Sequence, residues 1–87
     1  MKHWNQFFRG LANVNRLKII ALLADGRRRH ASDITRELRI SFTATSRHLM
    51  LLSSLDILES EGTGGHVFYF LNPNLSEDAR NAIRLFI

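Results

Sequence analysis

Ser46, Arg47 and His48 place a hydroxyl, a guanidinium and an imidazole side by side. A hydroxyl beside a base is the beginning of nucleophilic catalysis. On a helix, however, three successive side chains point in three directions. The trio is therefore no triad. The chain also offers no phosphate loop and no nucleophile–base–acid set, and it is not expected to be an enzyme. His3, His30, His48 and His66 fall on separate segments, with no HxxxH or HxxH spacing. A metal needs ligands converging to about 2 Å, so no metal and no cofactor is expected. With no cysteine there is no disulfide, thiolate site or thiol switch.

What Arg47 can do instead is grip an anion. Its planar fork matches a phosphate, or O6 and N7 of a guanine. The charge around it fits. Residues 1–55 carry ten basic residues against three acidic ones, a formal +7; residues 56–87 carry two against five, −3. A basic front half suits nucleic acid, and it equally suits an Arg-rich solvated surface.

The elements that must position these groups follow from periodicity. At 87 residues the chain suits one domain spanning 1–87, and 45% hydrophobic residues allow a core. Its apolar runs fall far short of the roughly 20 residues needed to cross a bilayer. Met1-Lys2-His3-Trp4 leads into no signal-peptide core, and a cytoplasmic home is expected.

Trp4, Phe7, Phe8 and Leu11 recur at helical spacing and predict a helix over 3–10. Asn13 is a good N-cap for a second helix, Val14 to Ala24, which Gly26 ends. Ala31, Ile34 and Leu38 mark a short third helix. Ser41 caps a fourth that runs to Ser54, with Thr45, Leu49, Leu52 and Leu55 on its inner face. Two short helices joined by a tight turn make a helix-turn-helix over about 31–54. Residues 57–61 and 66–71 then read as strands around Gly62-Thr63-Gly64-Gly65, a hairpin with a glycine-rich tip. Asn72-Pro73-Asn74 breaks the second strand, and Leu75, Ala79, Ala82, Ile83 and Phe86 mark a last helix over 75–86. The expected fold is mainly α with a small β-hairpin, order α-α-α-α-β-β-α: a winged helix-turn-helix with its wing at about 57–71.

"LANVNRLKIIALLADG", "ITRELRISFTATSRHLMLLSSLDIL" and "HVFYFL" together resemble the ArsR/SmtB family of winged-helix transcription repressors, over about residues 11–71. Asn13-x-x-Arg16-Leu17-x-Ile19-Ile20 resembles the family's D-x-T-R-L-x-I-L opening helix, and Ser41 to Leu58 resembles its recognition helix. The resemblance implies a homodimer joined by the first and last helices, with Trp4, Phe7, Phe8, Leu11, Leu75, Ile83 and Phe86 at the interface. It does not carry over the family's metals. The positions of the founding members' cysteine pair are His30 and Ser32 here, and Leu75–Ile87 contains no histidine. Arg or Lys at the family's wing tip is replaced by Glu61 and His66 around the glycines. Those glycines either bring backbone N–H groups to phosphate or simply allow the turn.

The major groove, about 12 Å wide, admits one helix. That helix must be small and polar at its N-terminal end and anchored in the core at the other. "SFTATSRHLMLL" meets both demands. Phe42, Thr43, Ala44, Ser46 and Arg47 are expected toward DNA, with His48 beside them. Thr43 and Ser46 suit phosphate or a base edge, and Ala44 a thymine methyl. Phe42 either meets a thymine methyl or packs back on the preceding helix. His48 either touches DNA or is half-buried and hydrogen-bonded. Arg36 and Arg39 are expected on phosphates, as are Arg27, Arg28 and Arg29; such contacts position without specifying. Arg39 stands at a turn where the family often has glycine. Arg16 opposes the dipole of its own helix, which suits a structural or an interface salt-bridge role.

The expected function is a homodimeric, sequence-specific repressor of transcription. The other reading is a winged-helix module for protein interaction within a larger assembly, for which Met50 and Leu51 would supply an apolar flank.

Overall fold

The computed structural model describes residues 4–87. His3, expected at the start of the first helix, lies outside the described residues. Five helices and three strands follow one another: α1 (Trp4–Leu11), α2 (Val14–Leu23), β1 (Arg29–His30), α3 (Ala31–Leu38), α4 (Phe42–Ser54), β2 (Leu58–Thr63), β3 (His66–Leu71) and α5 (Glu77–Arg84).

Local chemistry sets the helix ends. Asn13 Oδ1 accepts the backbone N–H groups of Asn15 and Arg16 and starts α2. Ser41 Oγ accepts from Ala44 N–H and starts α4; Ser76 Oγ accepts from Ala79 N–H and starts α5. Each satisfies an N–H that a helix start leaves without a partner. At the other end α3 stops on Arg39, which turns left-handed at φ 57° and ψ 40°. No glycine stands there, so the arginine bears a cost of about 1–2 kcal/mol.

The wing is larger than the sequence suggested. β1 pairs antiparallel with β3, Arg29 opposite Tyr69 and His30 opposite Phe68, giving a three-stranded sheet of order β1-β3-β2. The expected order therefore gains a two-residue strand between α2 and α3. Two residues carry no periodicity of their own, and β1 exists only through its partner. The hairpin closes on the pair Thr63–His66, across Gly64 and Gly65 at φ 56° and 84°. Two positive φ angles in a two-residue loop suit the right-handed twist of the strands, and the glycines supply them without strain.

The core draws on every helix: Phe7 and Leu11 of α1, Ile19, Ile20 and Leu23 of α2, Ile34 of α3, Leu49 and Leu52 of α4, Ala79 and Ile83 of α5. Ile57 and Leu58 join them from the entrance to the wing. Gly10 lets α1 lie directly on the end of α4, because a Cβ there would collide with the side chain of Leu55.

This packing divides the residues expected at a dimer interface. Phe7, Leu11 and Ile83 are buried within the single chain and are not on its surface. α1 and α5 each turn one side of a broad apolar stripe inward, which takes those three into the core. Trp4 and Leu75 are half-buried, whereas Phe8 and Phe86 remain exposed. Leu85 and Ile87 are exposed beside Phe86.

Candidate nucleic-acid interface

α4 has two differently solvated faces. Thr45, Leu49 and Leu52, at i, i+4 and i+7, are buried. Thr43, Ser46, Arg47 and Met50, at i, i+3, i+4 and i+7, form the opposite stripe; Thr43, Arg47 and Met50 are exposed and Ser46 half-exposed. Phe42 stands at the N-terminal end of the helix, 58% exposed. Ala44 is half-buried on the flank.

Hydroxyls lock the buried face in place. Thr35 Oγ1 donates to Thr45 Oγ1 at 2.8 Å, and Thr45 Oγ1 donates to the carbonyl of Ser41 at 3.0 Å. This chain of hydrogen bonds ties α3 to the first turn of α4. Leu49 and Leu52 hold the other end, each worth about 1.5–3 kcal/mol on burial.

His48 belongs to this anchoring. It is half-buried, and its Nδ1 lies 3.4 Å from Arg16 Nη1. Arg16 Nε donates to the carbonyl of Gly10 at 2.6 Å, and Nη2 donates to that of Arg9 at 3.1 Å. These carbonyls lie in the last turn of α1, where acceptors lack helical partners and a cation is favoured. Arg16 thus links the C-terminus of α1 to the flank of α4, which accounts for a charge placed against the dipole of its own helix. Burial, and then the neighbouring Arg16 charge, lower the His48 pKa below 6.5. The ring therefore favours its neutral form, which can accept from Arg16.

The arginines separate into tied and free. Arg29 Nη2 lies 2.8 Å from Asp25, and Arg27 also pairs with Asp25, at 3.7 Å. The N–H of Arg27, then the two guanidinium charges, hold the Asp25 carboxyl below its ordinary range. Arg28 donates to Glu61 across the sheet at 2.9 Å and lies over the Phe70 ring, 4.6 Å from its centroid. The arginine run expected on phosphates is therefore engaged with the wing and with the end of α2. Arg36 makes a loose 3.4 Å contact with Asp33. Among the described residues Arg39 and Arg47 have no carboxylate partner, and both are exposed.

Sequence spacing set the histidines apart, yet pairing of β1 with β3 brings the rings of His30 and His66 to a centroid distance of 5.2 Å. His30 also lies 4.1 Å from the Phe68 ring. Among the described residues no group of three metal-ligating side chains converges, and no helix is long and apolar enough to cross a membrane.

The sequence model of the arsR family of bacterial regulatory proteins matches residues 13–60, from the cap of α2 into β2. The chain belongs to the ArsR family. Its family segment contains the helix-turn-helix whole. Solved structures extend the likeness to the rest of the chain. The homodimeric winged helix-turn-helix DNA-binding domain of a possible ArsR-family regulator from Mycobacterium bovis is 28% identical, with a TM-score of 0.78 over 93% of this chain and 71% of that one. HlyU from Vibrio cholerae is 26% identical, with a TM-score of 0.78 over 92% of this chain and 83% of that one. The transcriptional repressor PagR of Bacillus anthracis, 20% identical, shares the fold at a TM-score of 0.78 over 95% of this chain and 91% of that one. No curated protein sequence matches the chain.

Within this ArsR-family frame, the stripe on α4 includes one residue that the sequence reading assigned elsewhere. Met50 is 71% exposed and continues the line of Thr43, Ser46 and Arg47. Its spacing from Thr43 was the available signal; its apolar character drew it toward a protein partner instead.

Proposed function

We propose that this ArsR-family chain is a homodimeric repressor that reads a pseudo-palindromic operator with α4. The observation that carries the reading is the outer face of α4. A helix held in the core by Thr45, Leu49 and Leu52 presents Thr43, Ser46 and Arg47 outward, and Arg47 has no acid to neutralise it among the described residues.

In this reading Arg47 makes a bidentate bond to a guanine or grips a phosphate. Thr43 and Ser46 bond a base edge or phosphate, and Ala44 lies against the groove wall. Arg36 and Arg39 hold phosphates where α3 crosses the backbone. His48 does not face the DNA; it positions α4 through Arg16. The exposed apolar side chains of Phe8, Leu85, Phe86 and Ile87 supply the surface for a second copy, in keeping with the homodimeric relative. Two copies would address half-sites about 34–36 Å apart. A cytoplasmic location belongs to this reading. The chemistry is binding, not catalysis.

The second reading, a protein-interaction module, is favoured by one observation, the exposure of Met50 and Leu51. Selection from a random duplex pool with purified protein, at about 50 and 200 mM salt, separates the two. Enrichment of an inverted repeat supports the repressor. Retention without enrichment, lost at the higher salt, means phosphate binding without choice of sequence. No retention at either salt removes DNA as the partner.

A further inference from the structure

Phe42 poses a problem of its own. It is a large apolar side chain, 58% exposed, at the first position of a helix that is otherwise polar there. Leaving such a ring in water forgoes the stabilisation that burial of its apolar surface would bring. Its backbone is held in place. The Ser41 cap bonds the first turn of α4, and the Thr35–Thr45–Ser41 hydroxyl chain fixes that turn against α3. Its sequence neighbours Ser41 and Thr43 are polar and exposed, as are Arg39 and Arg47, three residues before it and five after.

Among the groups lining a major groove, one is apolar. It is the 5-methyl group of thymine, and apolar side chains, Phe among them, recognise it. Phosphates and the other base edges offer a phenyl ring no hydrogen bond. A ring has only two torsions to fix, so little entropy is lost on contact.

We infer that Phe42 is a specificity residue, reading the 5-methyl group of one pyrimidine in each half-site of the duplex. This rests on the repressor reading given above and adds a chemical requirement to it. The site must carry a methylated pyrimidine where the first turn of α4 enters the groove. Thymine satisfies this. Uracil, identical in its hydrogen-bonding edge and lacking the methyl, does not.

The test uses the purified full chain and the duplex enriched by selection. Each thymine of one half-site is replaced in turn by deoxyuridine, and affinity is measured for wild type, Phe42→Ala and Phe42→Leu. One position is expected at which the replacement weakens wild-type binding roughly fourfold, about the worth of one buried methyl-sized group. Replacing the same thymine in both half-sites should roughly square the loss. Phe42→Ala should bind the thymine duplex more weakly and no longer distinguish thymine from deoxyuridine. Phe42→Leu should keep part of the discrimination. Unchanged thermal unfolding of both variants would confirm that the exposed ring carries no fold stability. The inference is overturned if no thymine is sensitive, or if Phe42→Ala discriminates as wild type does, while wild type still binds the selected duplex. If wild type enriches no duplex at all, the repressor reading fails and this inference falls with it.

Discussion

The turn and helix of α4 and the segment that leads into the sheet both carry arginines, but their charges are in different states. Near the wing, Arg27, Arg28 and Arg29 are held by Asp25 and Glu61, and Arg28 lies on Phe70. On α4 and the turn before it, Arg47 and Arg39 have no acidic partner among the described residues. A guanidinium already bonded to a carboxylate must exchange one partner for another to meet phosphate. A free one exchanges only water and counterions. Where a positive charge is already neutralised, its presence in the sequence says little about the surface it serves.

Several changes sharpen or break this contrast. The largest effect should come from Arg47→Ala, which is expected to weaken operator binding by about 1–3 kcal/mol and relax one position in each half-site. Titration against the selected duplex and its single-base variants measures this. A uniform loss across sequences, with a salt slope shallower by about one, would make Arg47 a phosphate ligand instead.

Next comes the anchoring of the helix. Thr45→Val removes the acceptor of the Thr35 hydroxyl and the donor to the Ser41 carbonyl. It should destabilise the fold by about 1–2 kcal/mol, read from urea unfolding. An unchanged midpoint would show that the hydroxyl chain does not hold α4.

Arg39→Gly should divide stability from binding. It relieves a left-handed arginine and should stabilise the chain by about 0.5–1 kcal/mol, the penalty for that conformation less the chain entropy glycine adds. It should weaken DNA binding at the same time, by the loss of one phosphate contact. A variant that is more stable and binds as tightly would show that Arg39 does not touch DNA.

Arg28→Ala is expected to leave DNA affinity within about twofold. It should change stability by less than about 1 kcal/mol, because its ion pair with Glu61 is solvent-exposed. A loss as large as that of Arg47→Ala would reverse the contrast between helix and wing.

The smallest effect concerns pH. The His48 pKa is lowered in the folded chain, chiefly by burial and then by Arg16. Between that value and its ordinary 6.5 the unfolded state binds more protons than the folded one. Stability therefore rises with pH through this window: it is lost as pH falls below 6.5 and fully present above it. His48→Asn should flatten that part of the stability curve. Asp25, whose pKa lies below 3.8 when folded, acts only in a more acid window.

Much of the fold was legible because its signals are local. Asn13 and Ser41 announce helix starts with their own side chains, and the spacing of Thr45, Leu49 and Leu52 identifies the buried face of α4. The features that were not legible depend on distant partners. β1 is two residues long and is defined by Tyr69 and Phe68 across the sheet. Arg28 meets a glutamate 33 positions away. Phe7, Leu11 and Ile83 look like interface residues in sequence, because a periodic apolar stripe does not say how much of it the chain buries itself. The site was legible in the same measure. The stripe of α4 follows from helical spacing, whereas the outward position of Phe42 and the withdrawal of His48 to Arg16 follow only from tertiary contacts.

The most direct measurement is the change in amide chemical shifts along the chain as the selected duplex is added. The account predicts changes concentrated in residues 39–50, with Arg28–His30 and the β2–β3 hairpin little affected. Changes concentrated in residues 27–30 and 58–71, with α4 unmoved, would contradict it.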